Sequence, residues 1–569
     1  MILFYDFEVL KYDWLVVLIE PFEQKKTVIV NDPDKLKSYY EDHKSDIWVG
    51  YNSRTYDVYI LKAILCGFNP KEVNDFIIEK GRKGWEYSSV FNNIPLYNYD
   101  CMNKFFSLKQ LESFMGDNIK ETSIPFDVDR KLTKDELSET IKYCAHDVEE
   151  TMKVFLANKA DFDAHINILK TFNLPINHVS KTQAQLSALA LGCVGKEHFD
   201  EWDISFVDTL KISKYKRVME WFSDQAENVR DYSNKLEIDV CGVPHVFGWG
   251  GLHGAPKEPL HRKGLILHVD VNSFYPSIMI EYDLLSRNVR DKSVYKKIYD
   301  TRLALKKAGK KKEQAPYKII LNSTFGICKD KYNPAYDPRQ ANNVCVNGQL
   351  LLLDLLEHLE GHCELIQSNT DGLIIQIPDS DEAFYMIDDI CFEWEKRTHM
   401  GLGLDLISEI YQKDVNNYLW IDADGNVERK GGYVKQLNDL DYDLAIVNEA
   451  MVNYMAYGIP VEKTINECEN FKDFQKVVKI SNKYVCGVHN GVNLKDKTFR
   501  VFASKDESDS AIYKVKNKNG VLTPEKFANT PLHCFIENGD INGKKPPETL
   551  DKNYYITLAK ERLTQYGVN

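Results

Sequence analysis

The sequence predicts a multidomain protein that combines α/β and α+β architecture. Three observations carry that expectation. At 569 residues the chain is too long for one hydrophobic core. Residues 1–165 alternate strand-like with helix-like segments. The stretch "VFGWGGLHGAPKEPL", residues 246–260, then interrupts the pattern with glycine and proline and opens a new unit.

In chain order, "ILFYDFEV", "WLVVLIEP" and "TVIVND" have the apolar content of strands, whereas "DVYILKAIL" and "ELSETIKYCAHDVEETMKVFLANK" have helical periodicity. Residues 166–240, including "KTQAQLSALALG", are expected to form a helical connection. The next domain starts at 241 with the strand "GLILHVDV", gives way to a helical section at 285–330, and resumes over 331–420 with the helix around "NGQLLLLDLLEHLEG" and a hairpin. Residues 421–569, rich in Lys and Asn, are expected to form a final domain.

Composition is that of a soluble globular protein, with 43% hydrophobic and 28% charged residues. The sequence has no apolar run of the ~18 residues needed to span a bilayer. Met1 leads straight into a strand-like segment, so neither export nor a membrane is expected, and the location implied is cytoplasmic. Twelve cysteines are scattered singly without a Cys-x-x-Cys pair, which argues against a zinc site or disulfide framework; Cys144 and Cys328 are expected to pack. The net charge of −13 does not announce a polyanion binder, but binding needs only a local positive track. Seven basic residues against one acid, Glu313, lie between Arg302 and Lys318. Such a run also suits a solvated helix face.

Two carboxylates organise the second unit. Asp270 ends the strand in "LILHVDVNSFYPSIMIEY", and Asp371 sits at the tip of the hairpin "ELIQSNTDGLIIQI". Alone, each is an ordinary turn acid. On adjacent strands they would hold a pair of divalent ions ~4 Å apart, the arrangement used for in-line phosphoryl displacement. Oxygen ligands suit magnesium, which takes one or two carboxylates plus substrate phosphates. In "QAPYKIILNSTFGICKD", Lys318, Asn322 and Phe325 fall at i, i+4 and i+7 and share a helix face. A cation, an amide and an aromatic ring on one face fit a nucleotide, and Arg302 with Lys306 forms a second i, i+4 pair able to grip its phosphates.

In the first unit, "YDFEVL" puts Asp6 and Glu8 on one face of a strand. With 85 acids in the chain, about a dozen such spacings arise by chance. "GYNSRTYDVYI" adds Asn52 and Asp57, and "KYCAHDVEET" sets Tyr143 four residues before Asp147 on one helix face. "SLKQLESF" offers Lys109 to the same place.

"DVNSFYPSIM", "KIILNSTFG" and "SNTDG" resemble motifs A, B and C of the family B DNA polymerases. The third carries Asn369 where the family has a first Asp, and its function carries to Asp371. The resemblance implies a palm at 241–284 and 331–420, fingers at 285–330 and a thumb at 421–569, preceded at 1–165 by an RNase H-like 3′–5′ exonuclease domain. It implies that Asp270, Asp371 and the Val271 carbonyl ligate two Mg²⁺ ions, with Mn²⁺ as a substitute. Tyr275 would be the gate against ribose, while Lys318, Arg302, Lys306, Asn322 and Phe325 bind the incoming deoxynucleoside triphosphate. Asp6, Glu8, Asp57 and Asp147 would hold two more ions for proofreading, with Tyr143 orienting water and Asn52 contacting the strand. Gly250 and Gly251 match a glycine pair that approaches DNA, although Gly248 stands where an aromatic is usual; Tyr418 matches a primer contact, with Asn416 in the usual lysine position and Lys413 nearby.

The resemblance covers residues 1–435 and is strongest to the compact enzymes of phages and linear replicons. Only 48 residues separate Asp270 from Lys318 and 45 separate Gly326 from Asp371, leaving no room for the insertions of protein-primed members. The implied protein is a monomer that extends a nucleic-acid primer on primer-template DNA in the replication of a phage or mobile element, in the host cytoplasm where viral. Single-strand-binding protein, helicase and primase are the further partners expected. The rival readings are an exonuclease with an inactive polymerase domain and a non-catalytic DNA-binding subunit.

Overall fold

The computed structural model describes residues 1–102, 106–125, 127–224 and 230–568. The chain folds as two units, one made of Met1–Lys181, Leu437–Ile446 and Glu467–Tyr555, the other of Thr182–Gln436, Val447–Asn466 and the chain from Ile556. Both mix helices with sheets. No helix among the described residues is long and apolar enough to cross a membrane, and all twelve cysteines are free thiols.

The first unit is built on β1 (Ile2–Val9), β2 (Trp14–Glu20), β3 (Lys25–Val30), β4 (Ile47–Gly50) and β5 (Tyr97–Asp100), in the order β3-β2-β1-β4-β5. β1 runs antiparallel to β2 and parallel to β4, so the centre of the sheet is covered on both faces. That is why β1 reads as a nearly unbroken apolar run. Leu3, Tyr5, Phe7 and Val9 pack to one side with Trp48 and Ile60. Phe4 packs to the other, against Leu111, Cys144, Val148 and Phe155. Because side chains alternate, Asp6 and Glu8 share the Phe4 side, the one covered by the Lys134–Ala157 helix. That helix starts from a capping box in which Thr133 and Glu136 satisfy each other's backbone N–H groups.

The second unit carries a nine-stranded sheet of β6 (Leu236–Val240), β7 (Val243–Phe247), β8 (His253–Gly254), β9 (Leu260–Val271), β10 (Glu364–Asn369), β11 (Gly372–Gln376), β12 (Leu402–Asp414), β13 (Asn417–Asp422) and β14 (Val427–Lys430). Its order is β14-β13-β12-β9-β11-β10-β8-β7-β6, with β9 in the middle between β12 and β11. The helices Ser293–Lys307 and Lys311–Lys329 form the pair expected at 285–330, and the Pro338–Leu359 helix is buried along nearly its whole length. The span 166–240 departs from the helical expectation, since the chain is mostly irregular between Gly192 and Tyr215.

The span 421–569 does not form one body. Residues 421–430 finish the nine-stranded sheet, whereas Glu467–Tyr555 belongs to the first unit. The latter holds β15 (Lys476–Lys479), β16 (Cys486–His489), β17 (Val492–Leu494), β18 (Thr498–Ala503), β19 (Tyr513–Lys518), β20 (Val521–Lys526) and β21 (Cys534–Ile536), in two sheets ordered β15-β18-β21 and β17-β16-β19-β20. Arg500 is one physical reason for this attachment. Its fully buried guanidinium donates to the carbonyl oxygens of Asp117, Glu537, Asn538 and Gly539. The Ile119 N–H donates to the Asn538 carbonyl and the Ile541 N–H to that of Gly116, both at 2.9 Å.

Candidate active sites

In the second unit the register puts Asp270, near the end of β9, directly opposite Gly372, the first residue of β11. Asn369 pairs with Gly372 across the hairpin, so Thr370 and Asp371 form a two-residue tip. The Val271 N–H donates to the Asp371 carbonyl at 2.8 Å, tying the tip to the end of β9. Gly372 is required there, because a Cβ would stand 2.8 Å from the Val269 carbonyl and 3.3 Å from Asp270 Oδ1. Asn369 has a local task, accepting the Thr370 N–H on its Oδ1 at 2.8 Å.

Asp270 and Asp371 lie close enough to repel. Asp371 is exposed. Asp270 is half-buried, and its carboxyl is pushed up to about 6, first by burial and then by the charges of Asp371 and Asp405, against the pull of Lys306. Asp405 was not singled out by sequence. From β12 it pairs with His268 of β9, while Gly403 pairs with Asp270, which places a third acid on the same face; only its alternation in "LGLDLISE" could have marked it.

Tyr275 lies one residue into the Phe274–Glu281 helix, which starts at Ser273 in left-handed backbone at φ 51°. Its ring meets that of Phe325 at 4.7 Å, and burial followed by the neighbouring Cys345 raises its hydroxyl pKa. Lys318 and Asn322 are exposed and Phe325 half-buried on one stripe of the Lys311–Lys329 helix. Arg302 donates through Nη1 to Ser273 Oγ at 2.7 Å, while its buried Nε has no hydrogen-bond partner; Lys306 is exposed. Tyr418 stacks on Trp420 at 5.1 Å under Lys430, and burial followed by the charge of Asp371 pushes its hydroxyl up to about 12. Lys413 is engaged with Asp414 at 3.5 Å and lies over the Tyr433 ring. Gly251 backs onto the hairpin tip, where a Cβ would strike the Thr370 side chain, and Gly250 faces open space. The glycine pair therefore has a packing reason at one of its two positions.

In the first unit Asp6, Glu8, Asp57 and Asp147 are brought together. The Phe7 N–H donates to Asp57 Oδ1 at 3.1 Å, placing the start of the Asp57–Leu65 helix against β1. Burial pushes the carboxyls of Asp6 and Glu8 well up; Asp57, Glu8 and Asp147 add to it at Asp6, and Asp147 and Asp57 at Glu8. Asp57 is pushed up to about 7, again chiefly by burial. Asp147 is raised by burial and relieved by Lys109, whose Nζ lies 2.5 Å from Asp147 Oδ1 and 3.2 Å from Glu112 Oε2. Lys109 also sits 4.8 Å from the centre of the Tyr143 ring. The Tyr143 hydroxyl is raised by burial and by Asp147, Glu8 and Asp6. Glu112 and His146, which sequence did not indicate, bond to each other and back up Lys109. Asn52 is exposed in left-handed backbone, its Oδ1 accepting from Thr55 Oγ1 at 2.7 Å.

Both clusters fit divalent cations on their donor chemistry. Each gathers carboxylate oxygens, and burial with the charge of neighbouring acids makes ionisation of Asp6, Glu8 and Asp270 costly, a cost that a bound cation removes. A second potential donor set in the first unit joins Asp6, Glu8 and Cys144.

No family model matches the chain. Over 200 residues it is 26% identical to DNA polymerase 1 of Sulfolobus acidocaldarius and 25% identical to DNA polymerase 1 of Saccharolobus solfataricus, in each case over 34% of this chain and 21% of the relative. DNA polymerase 1 of Sulfurisphaera ohwakuensis is 24% identical over 199 residues. The chain thus matches about a fifth of the length of these curated relatives. The family B DNA polymerase of the archaeon Pyrobaculum calidifontis aligns over 99% of this chain and 77% of its own, with 13% identity and a TM-score of 0.42. Over the 200 residues matched to the curated relatives, the chain is thus similar to DNA polymerases.

Proposed function

We propose that this protein is a template-directed DNA polymerase with an attached 3′–5′ exonuclease. The observation that carries the reading is the pairing of Asp270 with Gly372, which sets two motif carboxylates at the ends of adjacent strands. Asp270, Asp371 and the Val271 carbonyl would hold two Mg²⁺ ions, which when bound acidify the primer 3′-hydroxyl and neutralise the triphosphate. Lys318, Arg302 and Lys306 bind the triphosphate oxygens, and the unpartnered Arg302 Nε suits that anion. Tyr275, backed by Phe325, closes the space a ribose 2′-hydroxyl would need. Asn322 and Phe325 face the nascent base pair, and Tyr418 with Lys413 and the Gly250–Gly251 pair steadies the primer end.

In the first unit, Asp6, Glu8, Asp57 and Asp147 would hold two further ions, with Tyr143 orienting a water and Asn52 meeting the strand. The strand order β3-β2-β1-β4-β5, antiparallel then parallel, supports an RNase H-like domain. The palm comprises the nine-stranded sheet, the fingers the helical pair at 293–329, and the thumb role falls to the later segments. The substrates are primer-template DNA and deoxynucleoside triphosphates, and the setting is a compact, monomeric replicase of a phage or mobile element.

The test is extension of a 5′-labelled primer on a DNA template with magnesium, with and without deoxynucleotides. Growth with nucleotides and shortening without them is the expected result. Shortening alone would identify an exonuclease with an inactive palm, and no change in either lane would leave a DNA-binding subunit.

A further inference from the structure

Beside the acids of the first unit lies a pocket of 410 Å³, within the ~300–1,000 Å³ range of ligand sites. Its walls come from distant parts of the chain, Tyr143 and Lys479 being 336 positions apart. Lys109, which donates to Asp147 Oδ1, and Tyr143, whose hydroxyl feels the charge of Asp147, form one side. Lys479, Lys495 and Lys497 form the other.

The backbone fixes these lysines in place. Lys479 ends β15 and pairs with Thr498 at the start of β18. The N–H groups of Lys497 and Thr498 donate to Glu121 Oε1 at 2.9 and 3.1 Å, pinning the turn that carries Lys495 and Lys497 to the pocket wall. Lys497 Nζ donates to Asn482 at 3.1 Å, and among the described residues no carboxylate forms an ion pair with any of the three ammonium groups. Glu121, with Asp496 near it, is the opposing charge. Burial lowers the Lys479 pKa, Lys497 adding to the effect and Glu121 opposing it.

With Lys109 committed to Asp147 and Glu112, the three remaining ammonium groups against one lining carboxylate still make a positive cavity beside the cluster of four acids. A polyanion cannot approach such acids unless cations hold the phosphates that follow the reacting one. An aromatic edge, Tyr143, in a basic groove is also the composition that receives a single strand with its bases unstacked. We propose that Lys479, Lys495 and Lys497 bind the phosphodiester backbone of single-stranded DNA whose 3′ end lies among Asp6, Glu8, Asp57 and Asp147. This rests on the exonuclease reading of those acids.

The experiment uses the full chain with Lys479, Lys495 and Lys497 replaced together by Ala, a Lys-to-Arg triple variant, and the single Lys495→Glu change at an exposed position should the Ala triple not fold. Binding of a fluorescein-labelled single-stranded oligonucleotide is followed by anisotropy in Ca²⁺ across a salt series. Degradation of the same strand and hydrolysis of the p-nitrophenyl ester of thymidine 5′-phosphate are measured in Mg²⁺. The expected results are at least tenfold weaker binding by the Ala triple, a log–log salt slope shallower by about 2 for three lost phosphate contacts, and a KM for the strand raised in parallel. Ester hydrolysis stays unchanged, the Arg triple binds as the parent does, and Lys495→Glu alone weakens binding severalfold. Unchanged strand binding in the Ala triple, or in Lys495→Glu where the triple is unfolded, overturns the proposal, as does equal loss of ester hydrolysis. If the parent cleaves neither substrate while strand binding still depends on the lysines, the exonuclease reading fails and the pocket assignment stands.

Discussion

Asp57→Asn should stabilise the metal-free protein at neutral pH. Asp57 is only 3% exposed, and burial lifts its carboxyl from an ordinary 3.8 to about 7. The folded chain therefore holds this proton more tightly than the unfolded chain does. The group costs nothing well below pH 3.8, where both states are protonated. Its cost grows as pH rises, and is complete once pH passes the folded value of about 7. The difference between 3.8 and about 7 corresponds to at most about 4 kcal/mol, shared in practice with the neighbouring acids. Asn removes the charge yet keeps an oxygen for the Phe7 N–H. Amide hydrogen exchange in β1, which reports opening of the first unit, is the assay. In EDTA at pH 7.5 the variant should gain about 1–4 kcal/mol of protection. The gain should shrink below pH 5, and millimolar Mg²⁺ should narrow it by stabilising the parent. A variant less protected than the parent in EDTA at pH 7.5 would refute the reasoning.

The other predictions concern both sites and the attachment of the later segment. Asp371→Ala should lower primer extension by at least ~10³-fold while leaving 3′–5′ shortening intact, read on one gel. Arg302→Ala and Lys318→Ala should each raise the KM for deoxynucleotides ~10–100-fold by removing a charge-assisted contact, with Arg302→Lys restoring little of it. Tyr275→Ala should raise ribonucleotide incorporation relative to deoxynucleotide by tenfold or more, on the order of what one pocket group discriminates, in single-nucleotide addition. Arg500→Met strands the carbonyls of Asp117, Glu537, Asn538 and Gly539 and should cost about 3–5 kcal/mol, seen as a lowered Tm and faster proteolysis within 467–555.

Much of the chemistry was legible because it sits on local pattern. Asp6 and Glu8 could be assigned to one face from the period of a strand, and Tyr143 and Asp147 from the period of a helix. Asp270 and Asp371 each stand where an apolar strand stops at a turn, and three motifs in order connect them. What sequence hid is non-local. Asp405 acquires meaning only from the pairing of β12 with β9. β5 is four residues, "YNYD", too short to show a period. β20 is solvent-exposed over most of its length, so "VLTPEK" carries no core signal. The return of Glu467–Tyr555 to the first unit draws on Arg500 reaching carbonyls up to 387 positions away, a contact that no local propensity encodes. The three pocket lysines were invisible for the same reason.

The most direct test of the central claim is anomalous diffraction from crystals of the protein with primer-template DNA, a non-hydrolysable deoxynucleoside triphosphate and Mn²⁺. The account predicts two peaks ~4 Å apart, with oxygens of both Asp270 and Asp371 in contact with the pair. A difference map with no metal between these carboxylates, or with manganese bound to one of them and remote from the other, would contradict it.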